Sequence, residues 1–164
     1  PHEIANVCGM EGVRYMHEAG EDLPMRQLID VPSCVPAVPG LENAGAEFFA
    51  KEIEELASMD RVIGLAEVMD FLAVIHGEDR MMDIIEAAEK NGLYLQGHAP
   101  SVTGRQLSAY LIGGPWTCHE TTTGPEARKE AQKRHVCGCQ GKLHQREMWR
   151  LSGTESRISG SLTH

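Results

Sequence analysis

The sequence predicts an α/β fold in which parallel strands alternate with covering helices. Short apolar runs near 27–34, 61–69, 93–98 and 116–120 are separated by amphipathic segments, and this alternation is typical of βα units. The run at 61–69 is almost continuously apolar, as expected of a strand covered on both faces. A doubly wound sheet and a (β/α)₈ barrel both fit the pattern. A whole barrel takes roughly 200 residues or more, so this chain of 164 residues would supply only part of one.

The first half of the chain predicts helix, strand, helix and strand in turn. Residues 2–19 form an imperfect apolar stripe at helical spacing, which Gly20 ends. Residues 27–34 predict a strand that leaves through a proline-rich loop. The helix predicted over 43–60 has one apolar face, made of Phe48, Phe49, Ile53 and Leu56. The strand at 61–69 follows directly.

The second half repeats this order. A helix over 77–92 turns five apolar side chains inward, namely Met81, Met82, Ile84, Ile85 and Ala88. The strand at 93–98, a helix over 103–114 capped by Thr103, and the strand at 116–120 come next. No strand is predicted after residue 130. No nucleotide-binding glycine pattern follows any strand, which excludes the usual nucleotide-binding version of the fold.

Composition narrows the function classes. The net charge of −9 argues against a nucleic-acid binder, because neutralising phosphates needs a basic face. No apolar run reaches the roughly 18 residues of a membrane span, and no cleavable signal pattern is visible. The five cysteines are irregularly spaced, so reduced thiols in a cytoplasmic protein are the expectation. The pair Cys137 and Cys139 leaves a metal-binding alternative open. A homo-oligomer is compatible with the sequence.

Ionisable side chains occur where three of the predicted strands end. Glu67 lies in the run at 61–69, His98 follows the strand at 93–98, and His119 ends the strand at 116–120 with Glu120 beside it. In parallel sheets and barrels, chemistry takes place at the carboxyl ends of the strands. A glutamate among apolar residues is costly unless it is paired or binds a metal. Two histidines and a glutamate are suitable ligands for a divalent transition metal.

Each of these residues also has an ordinary structural interpretation. His98 alone could hydrogen-bond a loop carbonyl, Glu67 could pair with an arginine, and His119 could be an unremarkable loop histidine. The coincidence of three ligand types at three equivalent strand ends favours the metal site. Elsewhere, His17 is expected to be solvated and His76 to lie in a surface loop. Cys34, at a strand exit, is expected to be a small buried thiol, with a nucleophile as the alternative.

Six motifs in a fixed order make the sequence resemble a known family. They are "PHEIANVCGMEGVRYM", "VPSCVPAVP", "RVIGLAEVMDF", "LQGHAP", "TGRQLSAYLIGG" and "TCHETTT". Residues 1–130 are similar in this way to the bacterial and archaeal adenine deaminases of the amidohydrolase superfamily. The resemblance implies a (β/α)₈ barrel and hydrolysis of adenine to hypoxanthine and ammonia. It also implies a divalent metal centre, dinuclear in the complete enzyme, with manganese or iron favoured and zinc as an alternative.

The resemblance also implies roles for individual residues. Glu67 matches the glutamate that replaces the bridging lysine of many related enzymes, and His98 and His119 match histidine ligands, so all three are expected to bind the metal and serve catalysis. His2, in the "PHE" segment, and Glu120 are expected near the purine substrate. Ser33 and Cys34 match a loop that is expected to line the substrate pocket, making these four the predicted substrate-binding residues.

The chain departs from the family pattern in three ways. The family's H-x-H metal pair would lie before Pro1, and its late aspartate would lie after the matching region. Cys118 stands where the family has an aspartate before "HE", a change that could disturb the strand presenting His119. We therefore expect an incomplete ligand set and no activity from this chain alone.

The character of the chain changes near residue 125. Residues 1–124 carry a net charge of −13, whereas residues 125–164 carry +4 and few aliphatic side chains. If suitable codons are chosen for this segment, translation in a frame shifted by one base can yield a deaminase-like continuation. We therefore expect residues 131–164 to be a divergent, poorly ordered tail that is translated out of frame. A genuine tail that docks on the domain or binds a partner is the alternative.

Two other functions compete with adenine deamination. One is another amidohydrolase that acts on a cyclic amide or amidine, although the "PHEIANV" and "PSCVPA" segments count against it. The other is a non-catalytic remnant or small binding protein that keeps the metal residues. Metal binding together with ammonia release from adenine would separate the three.

Overall fold

The computed structural model describes residues 2–37, 39–121, 123–133 and 136–139. Helices and strands alternate along most of this length. The elements, in chain order, are α1 His2–Cys8, α2 Met10–Glu18, β1 Ile29–Pro32, α3 Ala50–Ala57, β2 Val62–Val68, α4 Phe71–His76, α5 Asp79–Lys90, β3 Tyr94–Gly97, α6 Gly104–Ile112, β4 Thr117–Thr121, α7 Gly124–Gln132 and β5 Val136–Cys139.

All paired strands run parallel. The first sheet has the order β1-β2-β3, with Val31 opposite Leu65 and Leu65 opposite Leu95. The second sheet pairs β4 with β5. It continues the first, because the Trp116 amide donates to the Leu95 carbonyl over 3.3 Å at the border between β3 and β4. The predicted α/β fold with parallel strands and covering helices is confirmed, and the carboxyl ends of β2, β3 and β4 lie at one edge.

The core lies between the sheet and the helices on one of its sides. Ile53 and Leu56 of α3 are fully buried, as are Ile84 and Ala88 of α5. They pack with Val31, Leu65 and Leu95 from the three central strands. Burial of such aliphatic side chains stabilises a fold by about 1.5–3 kcal/mol each. Within the described residues, no helix combines the length and the apolar character needed to cross a membrane.

Two predicted helices have different boundaries in the structure. The helix expected over 2–19 is divided at Gly9, whose φ of 62° is a left-handed conformation that suits glycine. The helix expected from residue 43 begins at Ala50. Phe48 is buried before the helix starts, whereas Phe49 is 49% exposed. The predicted face shared by both phenylalanines is therefore wrong, and Ile53 and Leu56 form the buried face.

Three elements of the structure were not predicted, and two histidines lie elsewhere than expected. α4 is absent from the prediction, and His76 is its last residue rather than part of a loop, although its side chain is exposed as expected. His17, expected in solvent, is only 5% exposed because residue Asp60 lies against it. The helix α7 and the strand β5 follow the last predicted strand, so the expectation of no strand after residue 130 is wrong.

The predicted tail, residues 131–164, falls largely outside the described residues. Its described parts are the end of α7 and the backbone of β5, which pairs with β4. The proposed metal-binding pair Cys137 and Cys139 lies in β5, whose side chains are outside the description. The nature of the tail stays a prediction.

Candidate metal centre

Glu67 reaches the site because β2 carries it to the carboxyl edge of the sheet. Its neighbours Leu65 and Val68 are fully buried, which fixes the strand, while the Glu67 side chain keeps 19% of its surface exposed. The Ser33 hydroxyl donates to the Glu67 carbonyl over 2.7 Å. The end of β1 thereby holds the backbone of β2 at the residue that bears the carboxylate.

The two histidines come from the next strands. His98 follows β3 directly, and its backbone amide donates to the Tyr110 hydroxyl over 3.0 Å. His119 is the third residue of β4. Their side chains are 22% and 44% exposed, respectively. The strand β4 forms with Cys118 buried inside it, so the predicted disturbance by this cysteine is absent.

The three side chains converge on one carboxylate oxygen. His98 Nδ1 lies 2.9 Å from Glu67 Oε2, and His119 Nε2 lies 2.6 Å from the same atom. The two ring nitrogens are 3.4 Å apart, and one ligand atom from each residue lies within 4.8 Å of the others. The structure thus brings together the three residues that the sequence assigns to a metal.

The donor set fits a cation at this point. Glu67 Oε2 is a buried oxygen without a hydrogen bond of good geometry among the described residues. Two imidazole nitrogens and this oxygen face a common centre, and a shared cation satisfies three lone pairs at once. Mixed nitrogen and oxygen ligands of this kind suit zinc, manganese and iron. In the described part of the chain, the ion pairs of Glu67 are with histidines, so the arginine alternative is wrong.

His2 lies on the other side of the same carboxylate. Its Nδ1 is 3.9 Å from Glu67 Oε1, and its Nε2 is 3.5 Å from Glu3 Oε1. A cavity of about 360 Å³ opens here and is lined by His2, Glu67, His119 and further residues of β1 and β3. The expectation that His2 lies close to the site agrees with this position, and its contact with a substrate stays a prediction.

Asp30 and Gln96 line the cavity and were not singled out from the sequence. Gln96 Nε2 donates to Asp30 Oδ2 over 2.6 Å, while Oδ1 is buried without a hydrogen bond among the described residues. Burial raises the pKa of the Asp30 carboxyl group. The signal was available, since Asp30 interrupts the apolar run "LIDV" just as Glu67 interrupts its own strand.

The remaining predicted site residues lie around this centre. Ser33 and Cys34 are buried, with the Ser33 hydroxyl 3.3 Å from the Cys34 sulfur. Burial raises the pKa of the Cys34 thiol, which agrees with the expected buried thiol. Neither residue lines the cavity. Glu120 follows His119 in β4 and is half-buried, and neighbouring side chains of a strand point to opposite faces. The substrate roles of these three residues stay predictions.

Several curated proteins with similar sequences are named adenine deaminases. Over 127 residues, 77% of the chain, it is 44% identical to an adenine deaminase of Klebsiella pneumoniae. Over 136 residues, 81% of the chain, it is 43% identical to an adenine deaminase of Staphylothermus marinus. An "Adenine deaminase 2" of Carboxydothermus hydrogenoformans is 43% identical over 133 residues.

These matches cover only part of each relative. The chain spans 21% of the Klebsiella protein, 22% of the Staphylothermus protein and 23% of the Carboxydothermus protein. No protein-family model matches the chain. The chain is thus similar to about one fifth of these adenine deaminases, and the similar stretch includes the strands that bear Glu67, His98 and His119.

Proposed function

We propose that this chain contributes part of a metal-dependent hydrolase that converts adenine to hypoxanthine and ammonia. The proposal is supported by the sequence identity to curated adenine deaminases. The observation that carries it is the convergence of His98 and His119 on Glu67 Oε2, at 2.9 and 2.6 Å. A complete (β/α)₈ barrel belongs to the proposal, supported by the parallel order of β1, β2 and β3.

In this proposal Glu67, His98 and His119 hold a divalent transition metal. Manganese and iron are favoured, zinc is the alternative, and a second metal belongs to the complete site. Such a metal, when bound, lowers the pKa of a water molecule to about 7 and so supplies a nucleophile at neutral pH. His2 Nδ1 lies 3.9 Å from Glu67 Oε1 beside the cavity, and in this proposal a carboxylate or imidazole of the site shuttles the proton.

The substrate is a purine bound beside these residues. His2 lines the cavity of about 360 Å³, and we assign it, together with Glu120 and the loop of Ser33 and Cys34, to substrate binding. Edge hydrogen bonds to polar side chains would select the base, since a site built for such bonds rejects analogues that lack them. A cytoplasmic enzyme, with a homo-oligomer as one arrangement, fits the same proposal.

The division of the chain belongs to the proposal as well. Residues 1–130 form the hydrolase part, and residues 131–164 form a divergent tail produced by a shift of reading frame. The change from a net charge of −13 in residues 1–124 to +4 afterwards supports this division. Sequencing the coding DNA tests it: a deaminase-like continuation in another frame is expected, and its absence would leave the genuine-tail alternative.

A chimeric enzyme tests the proposed deamination of adenine, because no activity is expected from the chain alone. Residues 2–121 replace the matching stretch of the Klebsiella pneumoniae adenine deaminase, and ammonia release from adenine is measured with added Mn²⁺. We expect turnover well above that of the same chimera carrying Glu67→Gln, since the carboxylate holds the metal. The exposed Glu86→Gln substitution in the chimera serves as the matched control and should leave turnover unchanged.

Two results would contradict the proposal. A folded chimera that binds Mn²⁺ but releases no ammonia from adenine would point to another substrate or to a binding function. A chimera whose turnover survives Glu67→Gln would remove Glu67 from the centre. Metal content measured in the same samples separates these two cases.

A further inference from the structure

The backbone ladder between β2 and β3 ends at the pair Val68 and Gly97, after Glu67 and one residue before His98. β3 ends at Gly97, one residue short of His98, and the register between β2 and β3 shifts between Leu65 and Val68. His98 therefore lies beyond the last residue pair of the ladder, and a second link can fix its position relative to Glu67. That link comes from a side chain of α6, which follows β3 in the chain.

Tyr110 of α6 lies fully buried between these two strand ends. Its hydroxyl donates to the Val68 carbonyl over 2.8 Å and accepts the His98 amide over 3.0 Å. Burial raises the pKa of this phenol, so the hydroxyl keeps the proton that it donates to Val68. One oxygen thus connects the residue after Glu67 with the backbone of His98.

Gly97 leaves room for this oxygen. A Cβ placed on Gly97 would lie 2.6 Å from Tyr110 Oη and 2.3 Å from the Thr117 carbonyl. The Gly97 amide also donates to Thr117 Oγ1 over 3.2 Å, which connects β3 with the strand that bears His119. The hydroxyl of Tyr110 consequently lies beside Gly97, at the point where β3 contacts the first residue of β4.

We propose that Tyr110 is a positioning residue that sets the distance between Glu67 and His98. This inference rests on the proposed metal centre. Tyr110 touches neither the metal nor the substrate in this arrangement. It acts through two backbone groups, one next to each ligand, and supporting groups of this kind typically change metal affinity 10- to 100-fold.

The test compares two tyrosine-to-phenylalanine variants of the whole chain. Tyr110→Phe removes the bridging hydroxyl, and Tyr94→Phe, in the exposed first residue of β3, is the matched control. Each protein is titrated with Co²⁺ while the visible absorption bands of the bound ion are recorded. We expect Tyr110→Phe to weaken Co²⁺ binding about 10- to 100-fold and to shift the bands, with Tyr94→Phe unchanged.

A purely structural role would lower the melting temperature of Tyr110→Phe but leave the affinity and bands of the folded protein unchanged. That result would overturn the proposal. If the unaltered chain binds no Co²⁺, its incomplete ligand set does not hold the ion alone, and Tyr110 is then judged by hydrogen exchange in metal-free protein. The His98 amide should exchange at least about tenfold faster in Tyr110→Phe than in Tyr94→Phe, because each lost 1.4 kcal/mol is a factor of ten.

Equal exchange rates in the two variants would overturn the positioning role independently of any metal. Should Tyr110→Phe fail to fold, the unaltered chain decides. His98 lies beyond the last residue of β3, so a protected His98 amide supports the hydrogen bond to Tyr110. An amide that exchanges as fast as those of exposed loops would refute it.

Discussion

Two histidine–carboxylate clusters lie at opposite ends of β2, and they differ in how their polar atoms are used. At the amino end, His17 Nε2 lies 2.9 Å from Asp60 Oδ1 and 2.6 Å from the Asp60 carbonyl. At the carboxyl end, His98 and His119 approach Glu67 Oε2 at similar distances. The His17 side chain is 7% exposed, whereas the His119 side chain is 44% exposed.

The surroundings distinguish a structural cluster from a ligand-binding one. Arg61 Nη2 donates to the His17 carbonyl over 3.0 Å and lies 3.3 Å from His17 Nδ1, so both ring nitrogens have neighbours within the fold. At the carboxyl end, two imidazoles and a carboxylate oxygen face one another instead. Polar groups that satisfy one another stabilise a fold, whereas the convergent atoms at the carboxyl end form the metal centre proposed above. The comparison predicts that substitutions at the carboxyl end of β2 lower metal affinity, whereas substitutions at the amino end lower the stability of the fold.

The largest effect is expected for Glu67→Gln. Removing the charge takes away the anionic member of the proposed ligand set, and we expect Zn²⁺ affinity to fall on the order of 100-fold or more, equivalent to about 2.8 kcal/mol, with the melting temperature little changed. Competition with a chromophoric chelator measures the affinity. Glu86→Gln, in the exposed face of α5, is the control. Unchanged Zn²⁺ affinity in Glu67→Gln would show that the Glu67 cluster, like the His17 cluster, does not depend on a metal.

His17→Ala should give the opposite result. The substitution removes a buried ring that contacts Asp60 and Arg61, and we expect the free energy of unfolding to fall by about 2 kcal/mol. Zn²⁺ affinity should stay the same. Urea denaturation measures the stability, with His76→Ala, at the exposed end of α4, expected to change it by less than about 0.5 kcal/mol. A loss of metal affinity in His17→Ala would break the distinction.

Ser33→Ala should modestly lower both the stability of the fold and its affinity for Zn²⁺. Ser33 Oγ donates to the Glu67 carbonyl over 2.7 Å in a buried place, so the change should cost about 1 kcal/mol of stability and weaken Zn²⁺ binding severalfold. Ser58→Ala removes a bond of the same length to the Glu55 carbonyl at an exposed helix end. This control should cost less stability and no affinity. Equal losses in both variants would show that Ser33 has no special connection to Glu67.

The smallest effect is expected for Asp30→Asn, through pH. Burial raises the pKa of the Asp30 carboxyl group above 3.8, the ordinary value for an aspartate. The folded state therefore holds the carboxyl proton more tightly than the unfolded state does. Its contribution to stability is complete below pH 3.8 and is lost as the pH rises through the raised folded-state pKa. Asp30→Asn should therefore stabilise the chain at pH 7 and flatten the curve at acidic pH. Urea denaturation between acidic pH and pH 7 measures this change in stability, and Asp22→Asn, at an exposed position, is the control.

The approach of Glu67, His98 and His119 could be anticipated from the sequence. Parallel strands end at a common edge, and this rule depends only on the order of strands and helices. The burial of Met81, Ile84 and Ile85 follows from helical periodicity in the same way. The second inference uses only the spacing of nearby residues in the sequence, and the first uses only a general property of parallel sheets.

Features that depend on distant partners were not predicted. His17 is buried by Asp60, 43 residues away, and no local pattern announces that contact. The same holds for Tyr110, whose hydroxyl joins Val68 to His98, and which looks like an ordinary apolar residue of an amphipathic helix. The break at Gly9 was not anticipated because the apolar stripe continues across it.

The close packing around Gly97 has a consequence for how this sequence can change over time. With the Thr117 carbonyl 2.3 Å from the place of a Cβ, position 97 is closed to every side chain unless β4 moves. Since β4 bears His119, any such movement would displace a ligand. Substitutions of Gly97 should therefore be selected against for as long as the proposed centre is under selection.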